Sequence, residues 1–154
     1  MNLFMQTAIA LATENVRSGA GGPFGAVVVK DGAIVATGAN AVTATNDPTA
    51  HAEILAVRKA CQALNHYQLD GCEIYTSCEP CPMCLGAIYW ARPTVVYYAN
   101  TRAEAAEAGF DDSFIYEQVP LAPHQRELRM IHLPHDEALD SFLKWRASQS
   151  RISY

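Results

Sequence analysis

The feature that most constrains the fold is a set of three cysteines spaced three residues apart: Cys78, Cys81 and Cys84. They follow an extended apolar run and lead into Pro82–Ala91, which we predict to be a helix. Proline is suited to the first position of a helix, so Cys81 and Cys84 bracket its first turn. Thiols at a helix N-terminus face backbone N–H groups that favour the thiolate, the form that binds metal ions. In a reducing compartment this spacing indicates a metal site rather than disulfides.

A second short segment offers the other groups that a zinc site needs. We expect a helix that opens at Pro48, with Asp47 as its N-cap, and runs to about Leu64. His51 then lies in its first turn, and Glu53 follows two residues later. One imidazole nitrogen and two thiolates suit tetrahedral Zn²⁺ and leave the fourth position for water. Zinc lowers the pKa of bound water to about 7, and Glu53 is near enough to take the proton.

Simpler interpretations of the same residues stay open at this point. Cys78 could be a fourth ligand that closes the site and makes the zinc purely structural. Cys78 ends an extended strand, however, whereas Cys81 and Cys84 lie at the start of a helix. A purely structural zinc would also leave Glu53 without a role. Glu53 could also be an ordinary solvated carboxylate on a helix. We favour the open, catalytic site.

The rest of the chain predicts an α/β domain. Residues 3–17 have the spacing of an amphipathic helix, and Asp31-Gly32 separates two β-rich runs as a tight hairpin does. The runs of the hairpin and the later strands are Ala26–Lys30, Ala33–Thr37, Ile74–Ser77, Thr94–Tyr98 and Arg129–Leu133. The later helices are Pro82–Ala91, Ala103–Ala108 and Asp136–Arg146. We therefore predict a three-layer α/β/α sandwich with a mixed five-stranded sheet, an antiparallel hairpin edge and parallel later strands.

Length and charge exclude several classes of function. The 154 residues suit one domain, 1–154, and no composition shift or linker divides them. Lys and Arg number 11 and Asp and Glu 16, a net charge of −5, with no basic stripe for nucleic acid or anionic membranes. No apolar run reaches the ~18 residues of a membrane helix, and the segment 1–13 lacks the features of a signal peptide. We expect a cytoplasmic protein.

The motifs resemble those of the zinc-dependent nucleobase deaminases. Their signature is His-x-Glu followed by Pro-Cys-x-x-Cys, matched here by His51, Glu53, Pro80, Cys81 and Cys84. Longer blocks are similar to the bacterial guanine deaminases, within the cytidine/deoxycytidylate deaminase-like superfamily: residues 22–27, 46–53, 75–91, 106–116 and the terminal Tyr154. The resemblance covers nearly the whole chain and is least distinct over residues 119–150. It implies hydrolysis of guanine to xanthine and ammonia in purine catabolism or salvage.

The resemblance also implies a role for each matched residue. One Zn²⁺ per chain would be ligated by His51, Cys81 and Cys84, and Glu53 would shuttle protons from water to a ring nitrogen and to the leaving ammonia. The resemblance also places six residues against the purine: Phe24, Asn40, Ala52, Trp90, Asp112 and Tyr154. Of these, Ala52 would contact the base through its backbone N–H. Such enzymes are dimers, so the resemblance implies a homodimer that exchanges its C-terminal segments, about residues 136–154.

Guanine presents N–H donors at N1 and N2, so its site requires an anionic acceptor. Asp111 or Asp112, beside Phe110 and Phe114, could be that acceptor, and the resemblance favours Asp112. The two aspartates could instead cap a helix or be solvated, and Asn40 could be an ordinary turn residue after the hairpin.

Three other functions fit parts of the sequence. A tRNA adenosine deaminase shares the zinc motif but requires a basic surface for the RNA stem-loop. A cytosine deaminase acting on the free base is a second alternative within the enzymes. The chain could also be a zinc-stabilised interaction module without activity, which the presence of Glu53 argues against.

Overall fold

A computed structural model describes residues 2–154, which fall into two compact units. The first unit ends at Asp112 and the second is Ser113–Tyr154. The helices of the first unit are α1 (Leu3–Arg17), α2 (Val42–Thr45), α3 (Ala52–Leu64), α4 (Pro82–Ala91) and α5 (Arg102–Glu107). Its strands are β1 (Gly25–Lys30), β2 (Ala33–Ala39), β3 (Cys72–Cys78) and β4 (Val95–Asn100).

The strands of the first unit form one mixed sheet in the order β2-β1-β3-β4. The hairpin is confirmed: β1 pairs antiparallel with β2, and Asp31 and Gly32 both have positive φ in the turn between them. β1 also pairs antiparallel with β3, whereas β3 and β4 are parallel. The predicted α/β class is correct.

The predicted fifth strand is wrong. Among the described residues the sheet has four strands, and Arg129–Leu133 belongs to none of them. The apolar residues of this segment express only a local preference for extended backbone. A strand also needs a neighbour for its backbone N–H and C=O groups, and the sheet ends at β4.

The sheet of the first unit has an apolar core on each face. Val27 and Val29 of β1 share one cluster with Ala8 of α1. Ala26 and Val28, which alternate with them, share the other cluster with residues of α3 and α4. Helices therefore pack against both faces of the sheet, and the alternation along β1 decides which residue faces which helix.

The second helix of the prediction starts later than expected. Residues 48–51 are not helical, and α3 begins at Ala52 with His51 in the N-cap position. Asp47 does not cap the helix, because its Oδ1 accepts hydrogen bonds from the backbone N–H and the hydroxyl of Thr49, at 2.8 and 2.7 Å. This local turn competes with helix formation and leaves the backbone of His51 extended.

The second unit has little core of its own. It contains α6 (Ser113–Gln118), α7 (Asp140–Ala147) and 3₁₀ turns at Pro123–Gln125 and Asp136–Leu139. No residue from 113 to 154 is buried, although many of its exposed side chains are large and apolar, among them Leu128, Ile131, Leu133, Leu139, Phe142 and Ile152. Among the described residues, no helix is both long enough and apolar enough to cross a membrane.

Candidate metal centre

Three predicted ligands from two helix starts come together in the first unit. The ligand atoms of His51, Cys81 and Cys84 all lie within 4.8 Å of one another. The His51 Nδ1 atom is 3.6 Å from the Cys81 Sγ and 3.5 Å from the Cys84 Sγ. Zn–N bonds of about 2.1 Å and Zn–S bonds of about 2.3 Å at a tetrahedral angle require an N···S distance of about 3.6 Å. The three side chains therefore fit a zinc ion.

The helix ends position these ligands. Cys81 is the N-cap of α4, and its Sγ accepts a hydrogen bond from the Cys84 backbone N–H at 3.5 Å. His51 is the N-cap of α3, whose first turn packs closely on β2 at Gly38. A Cβ atom at Gly38 would lie 2.1 Å from the carbonyl oxygen of Ala52, so only glycine allows this approach. Burial of α3 and α4 in one core then brings the two N-termini together.

Hydrogen bonds between the ligand side chains favour the thiolate form of Cys81. A hydrogen bond between the Cys81 and Cys84 side chains is the main reason why the pKa of Cys81 is lowered to about 4. The same hydrogen bond raises the pKa of Cys84, and the hydrogen bond with Cys81 raises the pKa of His51. Cys81 is therefore the first ligand to carry a negative charge. A cation at this site displaces the remaining ligand protons.

Cys78 lies outside the ligand group. It is buried at the end of β3, and its thiol donates to the backbone carbonyl of Thr101 at 3.7 Å. Burial raises its pKa to about 11, so it stays a neutral thiol. The alternative of a closed site with Cys78 as fourth ligand is not supported.

Glu53 is buried beside the ligands, with only 4% of its surface exposed. Its Oε2 accepts a hydrogen bond from the Cys84 thiol at 3.6 Å, and its Oε1 accepts one from the Thr76 hydroxyl at 3.4 Å. Burial raises the pKa of Glu53 above its ordinary value. The alternative of a solvated helix carboxylate is therefore wrong. Thr76 is not among the site residues predicted from the sequence, although a polar residue in a strand, two positions before Cys78, is a usable signal.

The residues predicted to bind the base fall into two groups. Four of them are at least partly buried in the first unit: the Phe24 ring packs edge-on against Phe110, with ring centroids 4.9 Å apart, and Asn40 and Ala52 are buried. Asp112 is partly buried, and burial and then the charge of Cys81 raise its pKa. The other two are exposed: Trp90 on α4 by 63%, and Tyr154, in the second unit, by 68%.

The fold and these ligands define a class of protein. The sequence model of the "Cytidine and deoxycytidylate deaminase zinc-binding region" matches residues 1–100. The chain belongs to this family of zinc-dependent deaminases.

Individual relatives within this family differ in how much of the chain they match. The guanine deaminase of Bacillus subtilis (strain 168) is 56% identical over 151 residues, which are 98% of this chain and 97% of that protein. Its X-ray structure is similar with a TM-score of 0.97, over 100% of this chain and 99% of that one. A guanine deaminase structure from Nitrosomonas europaea is 35% identical with a TM-score of 0.67, over 71% of this chain and 63% of that one. The tRNA-specific adenosine deaminase of Aquifex aeolicus (strain VF5) is 46% identical over 77 residues, about half of each chain.

Proposed function

We propose that this protein is a guanine deaminase, which hydrolyses guanine to xanthine and ammonia. The observation that carries the proposal is Glu53, a buried carboxyl that contacts the ligand group at Cys84. The similarity to the Bacillus subtilis guanine deaminase extends over nearly the whole of both chains, whereas that to the Aquifex aeolicus tRNA deaminase stops at about half. The core clusters on both faces of the sheet support the predicted three-layer arrangement of the first unit.

Deamination at C2 replaces the exocyclic amine of guanine with oxygen from water. Zinc held by His51, Cys81 and Cys84 would supply the Lewis acid that activates this water. Protons must then move to a ring nitrogen and to the leaving amine. Glu53 would serve both transfers, and two contacts support this role: one carboxylate oxygen contacts the ligand group at Cys84, and the other accepts from the Thr76 hydroxyl. Burial raises the pKa of Glu53 toward neutral pH, and a group whose pKa lies near the working pH can both accept and return a proton.

The groups around this centre suit a 6-oxopurine. The Asn40 Oδ1 atom already accepts from the backbone N–H groups of Gly22 and Val42, at 3.4 and 3.3 Å. The Asn40 NH₂ group is thus the end that donates to an acceptor on the base. Asp112 supplies the anionic acceptor for N1–H and N2–H, and the Ala52 N–H belongs to the first turn of α3, whose N–H groups have no partner within the helix. Phe24 and Trp90 would pack on the purine faces.

The other functions are less well supported. A tRNA deaminase requires a basic approach surface, and the chain has a net charge of −5 without a basic cluster. A silent zinc module does not explain why a carboxyl is buried against the ligands, since burial of an acid without a task costs free energy. We place the protein in the cytoplasm and in purine catabolism or salvage.

Comparison of substrates tests the proposed function. We expect the purified zinc protein to release ammonia from guanine and to be at least about a hundredfold less active on adenine, cytosine and a tRNA anticodon stem-loop, because their edges leave Asp112 unpaired. Ammonia release, with xanthine identified by chromatography, is the measurement. Preference for any of the other three substrates would contradict the proposal.

The variant Asp112→Asn tests whether Asp112 is the acceptor that gives this preference for guanine. It exchanges part of an anionic acceptor for a donor at nearly constant volume. Guanine turnover should fall by about two orders of magnitude, from a lost charge-assisted hydrogen bond and the unpaired group left behind. Zinc content should stay at one ion per chain.

We further propose a homodimer in which about residues 136–154 are exchanged and Tyr154 of the partner subunit completes each site. Three observations support it. The second unit has no buried residue and exposes many large apolar side chains, so it lacks a core that would hold it alone. Among the described residues, β4 has β3 as its sole neighbour in the sheet. On α4, Tyr89 is 74% exposed next to the exposed Trp90, which leaves an aromatic surface for a second subunit to cover.

Subunit complementation tests the exchange. Deletion of Ser150–Tyr154 should abolish most activity but leave zinc bound, because the ligands lie elsewhere. Mixing this protein with Glu53→Gln under conditions that exchange subunits should restore activity, since one mixed site combines an intact Glu53 with an intact tail. Mass spectrometry of the mixed dimer verifies the exchange. If mixed dimers form and stay inactive, each tail closes its own site or none.

A further inference from the structure

Asn15 is a buried amide that the proposed mechanism does not use. It lies in the last turn of α1 with 7% of its surface exposed. Its Nδ2 group donates two hydrogen bonds, one to the Gly22 carbonyl and one to the Asn40 carbonyl, both at 2.8 Å. Its own backbone carbonyl accepts from the N–H groups of Ala20 and Gly21, at 3.0 and 3.4 Å. One residue thus holds two loops that are distant in sequence.

These two loops carry the groups assigned to the base. The loop of residues 19–24 follows the C-cap of α1 and ends at Phe24, and the loop after β2 begins at Asn40. They also contact each other directly: the Asn40 N–H donates to the Phe24 carbonyl at 3.1 Å, and the Asn40 Oδ1 accepts from the Gly22 N–H. The approach is so close that a Cβ atom at Gly21 would lie 2.3 Å from the Asn40 carbonyl oxygen.

The side chain of Asn15 is the element that ties this pair of loops to a helix. Both Nδ2 hydrogens are used, so a smaller side chain leaves two carbonyl groups without their donor. Loops are the mobile part of a fold, and the strength of a hydrogen bond falls steeply with its angle. A small shift of the Asn40 backbone would therefore turn its NH₂ group away from the base.

We propose that Asn15 is a positioning residue for substrate binding, which acts by fixing the backbone of Asn40 and hence the direction of its amide. The proposal rests on the proposed function, in which Asn40 donates to the purine. Both Nδ2 hydrogens of Asn15 bond to loop carbonyls, so the proposal gives Asn15 no contact of its own with the base or the reacting atoms. Its effect belongs to the binding of guanine, not to the proton transfers of Glu53.

The first test separates binding from turnover. Asn15→Ala should raise the KM for guanine by about tenfold, the effect of a misaligned hydrogen bond, and change kcat by less than about twofold. Zinc content should not change. Ser18→Ala is the matched control, because its hydroxyl bonds to the carbonyls of Glu14 and Asn15 at the same helix end but to neither loop. It should leave KM unchanged. Asn15→Ser replaces Asn15→Ala in this test if the alanine variant does not fold.

A double-mutant cycle with Asn40→Ala decides whether Asn15 acts through Asn40. We expect Asn40→Ala to raise KM and Asn15→Ala to add no further increase in that background. Asn15→Ala should lower Tm in both backgrounds, because it leaves two carbonyl groups without their donor. If Asn15→Ala leaves KM unchanged, or raises it equally in both backgrounds, the positioning role is overturned and the role of Asn40 stands. If Asn40→Ala leaves KM unchanged, the assignment of Asn40 in the proposed function is itself wrong, and the positioning role falls with it.

Discussion

Glu53→Gln is expected to lose guanine turnover by about 10⁴-fold or more while keeping its zinc and its fold. Glutamine has nearly the same volume, and its carbonyl oxygen can still accept from the Thr76 hydroxyl, which lies 3.4 Å from Glu53 Oε1. It cannot accept and return a proton. A general acid–base group typically contributes about 10²–10⁴-fold, and here a single carboxyl serves several transfers, so the loss should reach at least the upper end.

The measurement is single-turnover and steady-state ammonia release, with metal analysis and circular dichroism on the same sample. Thr76→Val is a useful companion variant, because it removes the hydroxyl at constant shape and leaves the carboxyl in place. Its activity should lie between those of the wild type and Glu53→Gln. A Glu53→Gln protein with a tenth of the wild-type turnover would contradict the role given to Glu53.

Cys84→Ser should lose its zinc, and with it all measurable activity, whereas Cys78→Ser should keep both. Cys84 lies 3.5 Å from His51 Nδ1 within the ligand group, and a serine hydroxyl is a poor substitute for a thiolate. Cys78 donates instead to the Thr101 carbonyl, and a hydroxyl can donate there as well. The two variants change the same atom type six residues apart, so they are each other's control.

Metal content per chain by atomic emission spectrometry measures this difference. The open-site interpretation requires one zinc in Cys78→Ser and less than about a tenth of an ion in Cys84→Ser. Loss of zinc in both variants would mean that Cys78 is a fourth ligand and that the site is closed, and the opposite pattern would contradict the open-site interpretation. Activity of Cys78→Ser on guanine supplies a second readout, since a ligand could not be replaced without loss.

The sequence by itself determined the features that depend on near neighbours. The hairpin follows from Asp31-Gly32, because few residue pairs accept positive φ at both turn positions. The bounds of α4, Pro82–Ala91, agree with the prediction because a proline fixes the first turn and the cysteines mark it. The same local spacing identified Cys81 and Cys84, and the motif added His51 and Glu53.

Tertiary structure decided the features that depend on contacts between segments distant in the sequence. The predicted strand at Arg129–Leu133 did not form, since this segment pairs with no strand of the described sheet. The later start of α3 at Ala52 is a separate case, because it reflects the short-range hydrogen bond from Thr49 to Asp47. No sequence pattern shows that Glu53 is buried, or that Thr76 and Asn15 reach across 23 and 25 residues to Glu53 and Asn40. Propensity and spacing act over a few residues, whereas burial and long-range hydrogen bonds arise only when the packed core brings distant segments together.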